Sequence, residues 1–200
     1  MASVGLLFVG AVLLINGLLF LGKVDAKTAG VFNLFVGGLQ TVAPLYLIVT
    51  AKDGDAVLSA AGVLMFGFTY LYVGVNSLAG FEGPGLGWFS LWVAILAVGF
   101  AVVNLVRFDD AASALLWFQW AALWGLFFAV IALGLSRLTE VTAWFTIIAS
   151  FTTCTVPGFV YLLGETVPAW AVVVSIVATV VVLVPVALRT VPGSAVPAPA

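Results

Sequence analysis

Three tryptophans, Trp117, Trp120 and Trp124, recur at i, i+3 and i+7 within one uncharged stretch, with Ser113 one turn earlier. At 100° per residue they share a helix face, and Gln119 points elsewhere. Two further stripes accompany them. Leu6, Gly10, Leu13 and Gly17 fall within about 60° of one another, bordered by Asn16, and Met65, Phe68, Tyr72 and Asn76 share a second face. None of these groups suits covalent chemistry. Aromatic faces can pack against a flat solute, while a few amide and hydroxyl groups replace the hydrogen bonds it loses on leaving water. Taken singly, each stripe also reads as helix packing, an interfacial aromatic belt or an interhelical asparagine bond. Together they suit a path for a small, neutral, planar solute. An ion would need rings of carbonyls or carboxylates, which the pattern lacks.

The elements that carry these residues are set by where the charges sit. Of the 200 residues, 64% are hydrophobic and only 7% charged, against about 25% charged in a soluble domain. The six basic and eight acidic residues cluster in short gaps: Lys23, Asp25 and Lys27; Lys52, Asp53 and Asp55; Glu82; Arg107, Asp109 and Asp110; Arg137 and Glu140; Glu165; Arg189. The uncharged stretches between them run about 19 to 25 residues, and a bilayer core needs about 20 apolar residues per helix. The spacing predicts seven helices, at 4–22, 29–50, 57–80, 86–106, 111–136, 142–164 and 168–188, followed by a disordered, proline-rich tail over 190–200. The first apolar run lacks the basic start and small-residue cleavage site of a signal peptide, so it is expected to remain as a span. No alternation of the β-barrel kind is present. The net charge of −2 implies no nucleic-acid partner.

The uncharged spans exclude several functions. Proton relays, ion coupling and voltage sensing use intramembrane charges. A retinal protein needs a lysine in its seventh helix, and none is there. Hydrolysis needs an activated nucleophile or a metal, but the chain has no histidine and a single cysteine, Cys154. No enzyme activity, metal or cofactor is expected. A pore, a passive facilitator or a structural membrane subunit remains.

Lysine and arginine give a lean in orientation. With the N-terminus outside, the cytoplasmic loops hold Lys23, Lys27, Arg137 and Arg189, and the outer loops hold Lys52 and Arg107. Without a seventh span the distribution is even. A short internal similarity, Gly67-Phe68-Thr69-Tyr70-Leu71 against Gly158-Phe159-Val160-Tyr161-Leu162, suggests two three-helix units, which in series must run in opposite senses.

At these motifs the chain resembles the AmiS/UreI group of bacterial urea and short-chain amide channels. Within Gly5 to Leu39 it carries VGAVLLINGLLFLGKVDAKTAGVFNLFVGGL, with the family's VG, NG, KVD-K and FVGGL elements in gap-free order. LMFGFTYLY (Leu64 to Tyr72), WFSLWVAI (Trp88 to Ile95) and the Trp117, Trp120, Trp124 series match the third, fourth and fifth helices. The resemblance implies an all-α integral membrane protein. It would have a six-helix core with an inverted three-helix repeat over 1–165; the additional transmembrane helix expected over 166–189 lies outside the resemblance and rests on the apolar run alone. It implies a homohexamer in the bacterial cytoplasmic membrane, with one pore per protomer contacting membrane lipid only on its outside. The pore would pass urea or short-chain amides such as acetamide toward a cytoplasmic amidase or urease. Leu6, Leu13, Phe68, Tyr72, Trp117, Trp120 and Trp124 become constriction residues and Asn16 their polar neighbour. Three departures from the family pattern stand out. The acid-sensing histidines are missing, so no acid gate is expected. The family's sixth-helix glutamate falls at Ala149, which leaves room for aliphatic amides. A seventh apolar segment follows the core. A pore-less structural or sensor subunit, and a secondary active amide transporter, are the competing readings.

Overall fold

The structure, a computed structural model, describes residues 2–189, so the expected tail at 190–200 lies outside the described residues. Among these residues every element is helical, and seven helices are long and apolar enough to cross a membrane. Five are single α-helices: α1 Ala2–Phe20, α2 Ala26–Thr50, α3 Gly54–Ala79, α4 Pro84–Val106 and α5 Ala111–Ile131. The sixth span, Ser136–Leu162, is built from a short 3-10 turn, α6 Thr139–Ala149, a π-helical segment Ser150–Thr155 and α7 Val156–Leu162. The seventh is α8, Ala169–Arg189.

The predicted boundaries shift where local chemistry sets the ends. Asp25, Asp53 and Asp110 each accept a backbone N–H three residues on, from Thr28, Ala56 and Ser113. Such N-caps satisfy orphan helix donors. α2 and α3 therefore begin about three residues earlier than expected and carry Lys27 and Asp55 in their first turns. α5 stops at Ile131 rather than at 136, because Gly134 takes the left-handed conformation, φ 65°, and turns the chain into the sixth span.

Helices approach one another through glycines, the packing that suits a medium with no hydrophobic drive between apolar surfaces. On the α2–α3 contact, a Cβ at Gly37 would lie 2.6 Å from the Leu71 backbone N, and one at Gly67 would lie 2.6 Å from the Gln40 carbonyl. On α1, a Cβ at Gly10 would lie 2.7 Å from the Ser150 carbonyl. α1 is thereby held against the sixth span, and α8 lies across α5 and α6 with only Val172 and Thr179 buried. Between the charged turns the exterior is largely apolar: Val49 is 83% exposed and Phe35 69%. Such surfaces suit an apolar surrounding, in which the backbone must be satisfied within each helix.

The six helical spans of the core pack as three pairs: α2 on α3, α4 on α5, and α1 on the sixth span. The two similar pentapeptides pack on different helices, Gly67 on α2 and Gly158 on α1. Gly67 and Gly158 each sit under the backbone of a neighbouring helix, a Cβ on Gly158 lying 2.8 Å from the Leu7 backbone N. Phe68 and Phe159 both face outward.

Candidate solute pathway

Two cavities enter the bundle from opposite faces and meet at an aromatic neck. The first, about 310 Å³, opens on the face that carries the start of α1. Its walls include Leu6, Gln40, Phe66, Trp117, Trp120 and Tyr161. The second, about 370 Å³, opens on the other face, with Asn16, Tyr70, Asn76, Ser90 and Phe127 in its walls. Between them lies a space of about 10 Å³, lined by Leu13, Phe66, Tyr70, Trp120, Trp124 and Phe127 among others. That is near the minimum that holds one water. The neck shares Phe66 and Trp120 with the first cavity and Tyr70 and Phe127 with the second, so the three spaces form one line. Among the described residues no charged side chain lines any of them.

Phe66 is the hub of the neck. Its ring lies 4.7 Å from that of Trp124, 5.0 Å from Trp120 in an edge-on arrangement, and 6.0 Å from Trp117. These are the separations at which aromatic quadrupoles attract, so the rings brace one another. Trp120 is also held from outside. Its Nε1–H donates to Thr153 Oγ1 at 3.0 Å. Thr153 sits in the π-helical segment, a distortion that often marks functional sites. Asn16, at the second cavity, is fixed by a reciprocal bond with Asn33 of α2, at 2.7 and 3.0 Å.

The sequence-derived residues are placed as follows. Leu6, Trp117 and Trp120 line the first cavity, Leu13, Trp120 and Trp124 the neck, and Asn16 the second cavity. On α1 the expected stripe divides its work: Leu6 and Leu13 face the open space, while Gly10 and Gly17 pack against the sixth span. Phe68 and Tyr72 are not brought to the cavities. Phe68 is 50% exposed, and Tyr72 packs outward against the Phe89 ring at 6.3 Å. The cause is the α2 contact. Gly67 and Gly74 are drawn against α2, which sets the rotation of α3 and turns Phe66 and Tyr70 inward. Phe66, Thr69, Tyr70 and Phe127 were missed; the Gly67–Gly74 spacing was the available signal for the rotation. Gln119 lines no cavity and is buried with both amide atoms unpartnered. Among the described residues no group of three His, Cys, Asp or Glu side chains could hold a metal.

Residues 1–165 match the model of the AmiS/UreI family transporter. The chain belongs to that family. The AmiS/UreI protein described here is 51% identical over 174 residues to a Rhodococcus erythropolis protein described as the transporter AmiS2, covering 86% of this chain and 84% of the relative. It is 39% identical over 194 residues to a Mycolicibacterium smegmatis protein described as a transporter of amidate substrates, covering 94% and 91%. The acid-activated urea channel of Helicobacter pylori is 30% identical over 190 residues, covering 80% of this chain and 96% of the channel. Its closed-state cryo-EM structure superposes with a TM-score of 0.74 at 33% identity, over 82% of this chain and 98% of the channel. α8 lies beyond the family match.

Proposed function

We propose that this AmiS/UreI protein is a passive channel for urea and short-chain aliphatic amides. The observation that carries this reading is the uncharged double cavity joined at the Phe66–Trp120–Tyr70 neck. A planar neutral solute can pass between ring faces there, once the neck side chains part. Ions would lose hydration with nothing to replace it. Leu6, Leu13, Phe66, Tyr70, Trp117, Trp120 and Trp124 form the path, with Asn16 a polar neighbour. The gradient is sustained when a cytoplasmic amidase or urease consumes the solute.

The same reading includes no acid gate, because the chain has no histidine and no carboxylate lines the cavities. It includes a ring of six copies in the bacterial cytoplasmic membrane, each with its own path, the N-terminus outside and α8 carrying the C-terminus inside. A reporter fused after Arg189 is expected to read cytoplasmic, and the detergent-extracted protein to have the mass of a hexamer.

Stopped-flow light scattering on proteoliposomes tests the function. Urea or acetamide should enter far faster than glycerol. Entry no faster than in empty liposomes would leave a structural or sensor subunit as the better reading. Uphill accumulation driven by a proton or sodium gradient would make the protein an active transporter.

A further inference from the structure

α2 carries two buried carboxamides on one face, Asn33 and Gln40, seven residues and hence about two turns apart. Asn33 completes a reciprocal amide pair with Asn16 of the antiparallel α1. Near the start of α1, Gln40 meets Gly5, which has no side chain to offer. Gln40 Oε1 fills the space over it so closely that a Cβ at Gly5 would collide with it. Gln40 is 2% exposed, its Oε1 has no hydrogen-bond partner, and its side chain lines the first cavity. Buried amides without partners are costly and uncommon. Here the unpartnered oxygen belongs to a side chain that lines an open cavity.

We infer that Gln40 is the docking residue for the solute, whose amide pairs with the Gln40 amide as Asn16 pairs with Asn33. A primary amide or urea presents a C=O and an N–H along one planar edge. It can accept from Gln40 Nε2 and donate to Oε1 at once, with the amide reorienting by a rotation of its terminal torsion. A diol of similar size has no such rigid edge. The site lies ahead of the neck, so it selects before the rings are passed. This inference rests on the amide-channel reading and deepens it.

The test uses the full chain in proteoliposomes and compares acetamide with ethylene glycol. Wild type should favour acetamide. Gln40→Met keeps the bulk and removes both polar groups, so the acetamide-to-glycol ratio should fall about fivefold to tenfold, the effect of one net hydrogen bond or slightly more. Thermal stability should be unchanged or raised, because an unpaired amide is removed. Gly5→Ser adds a Cβ that pushes the Gln40 amide from its place, and should lower the ratio as well. An unchanged ratio in assembled Gln40→Met overturns the inference and leaves the channel reading standing. Should Gln40→Met fail to assemble, an unchanged ratio in Gly5→Ser overturns it equally. Wild-type acetamide flux no faster than in empty liposomes removes the channel reading, and this inference with it.

Discussion

The indole N–H of Trp120 donates to the Thr153 hydroxyl at 3.0 Å, and that hydroxyl donates to the Ala149 carbonyl at 2.7 Å. Two bonds thus tie the centre of the neck on α5 to the π-helical part of the sixth span. The aromatic wall is not free to rotate independently of that segment.

Removing the acceptor should therefore matter. Thr153→Val leaves the Trp120 N–H buried without a partner, at about 1–3 kcal/mol. Thermal unfolding of the detergent-solubilised protein should show the loss. Trp120→Phe in the Thr153→Val background should add less than it does alone. Strict additivity would mean that the two side chains are not coupled.

The rotation of α3 makes its two tyrosines opposite in effect. Tyr70→Ala should open the neck and raise the flux of butyramide relative to acetamide. Tyr72→Ala, on the outer face, should leave that ratio unchanged. Trp120→Ala should act like Tyr70→Ala. If Tyr72→Ala alone altered the ratio, the path would run along a different face of α3.

The Asn16–Asn33 pair should respond asymmetrically. Asn16→Leu strands a buried carboxamide on Asn33, which keeps only its bond to the Ala29 carbonyl at 2.9 Å. The expected loss is about 1–3 kcal/mol. Replacing both by leucine should recover part of it, since an apolar pair leaves nothing unsatisfied. Circular-dichroism melts of the two single variants and the double variant read this directly.

Flux should be flat between about pH 5 and about pH 8. Among the described residues, the cavity walls contain no side chain that titrates there at its ordinary value. Asp25, which accepts from the Thr28 hydroxyl and N–H, is held below its ordinary 3.8. Its contribution to stability is full above the unfolded value and lost as pH falls through the lowered folded one, outside this window. Stopped-flow traces at both ends of the range should superimpose, and an increase at low pH would reveal an acid gate without histidine.

The number and order of the long apolar helices were legible from where fourteen charges sit, because a bilayer excludes charge from about 20 residues at a time. Asp25, Asp53 and Asp110 could be read as breaks, and the fold uses them as caps. The tryptophan face of α5 was legible too, since three large rings at one angle leave little choice. Which face of α3 turns inward was not. Lipid and protein interior are both apolar, so the pattern that separates core from surface in water does not separate them here, and Phe66–Tyr70 and Phe68–Tyr72 look equivalent along the chain. Packing chose between them: Gly67 and Gly74 admit the α2 backbone on one side of the helix, and every other side chain of α3 takes its direction from that contact. The same holds for Gln40. Its residue type announces a polar group in a span, but that Gly5 leaves it unpaired beside a cavity follows only from how α1 and α2 are brought together.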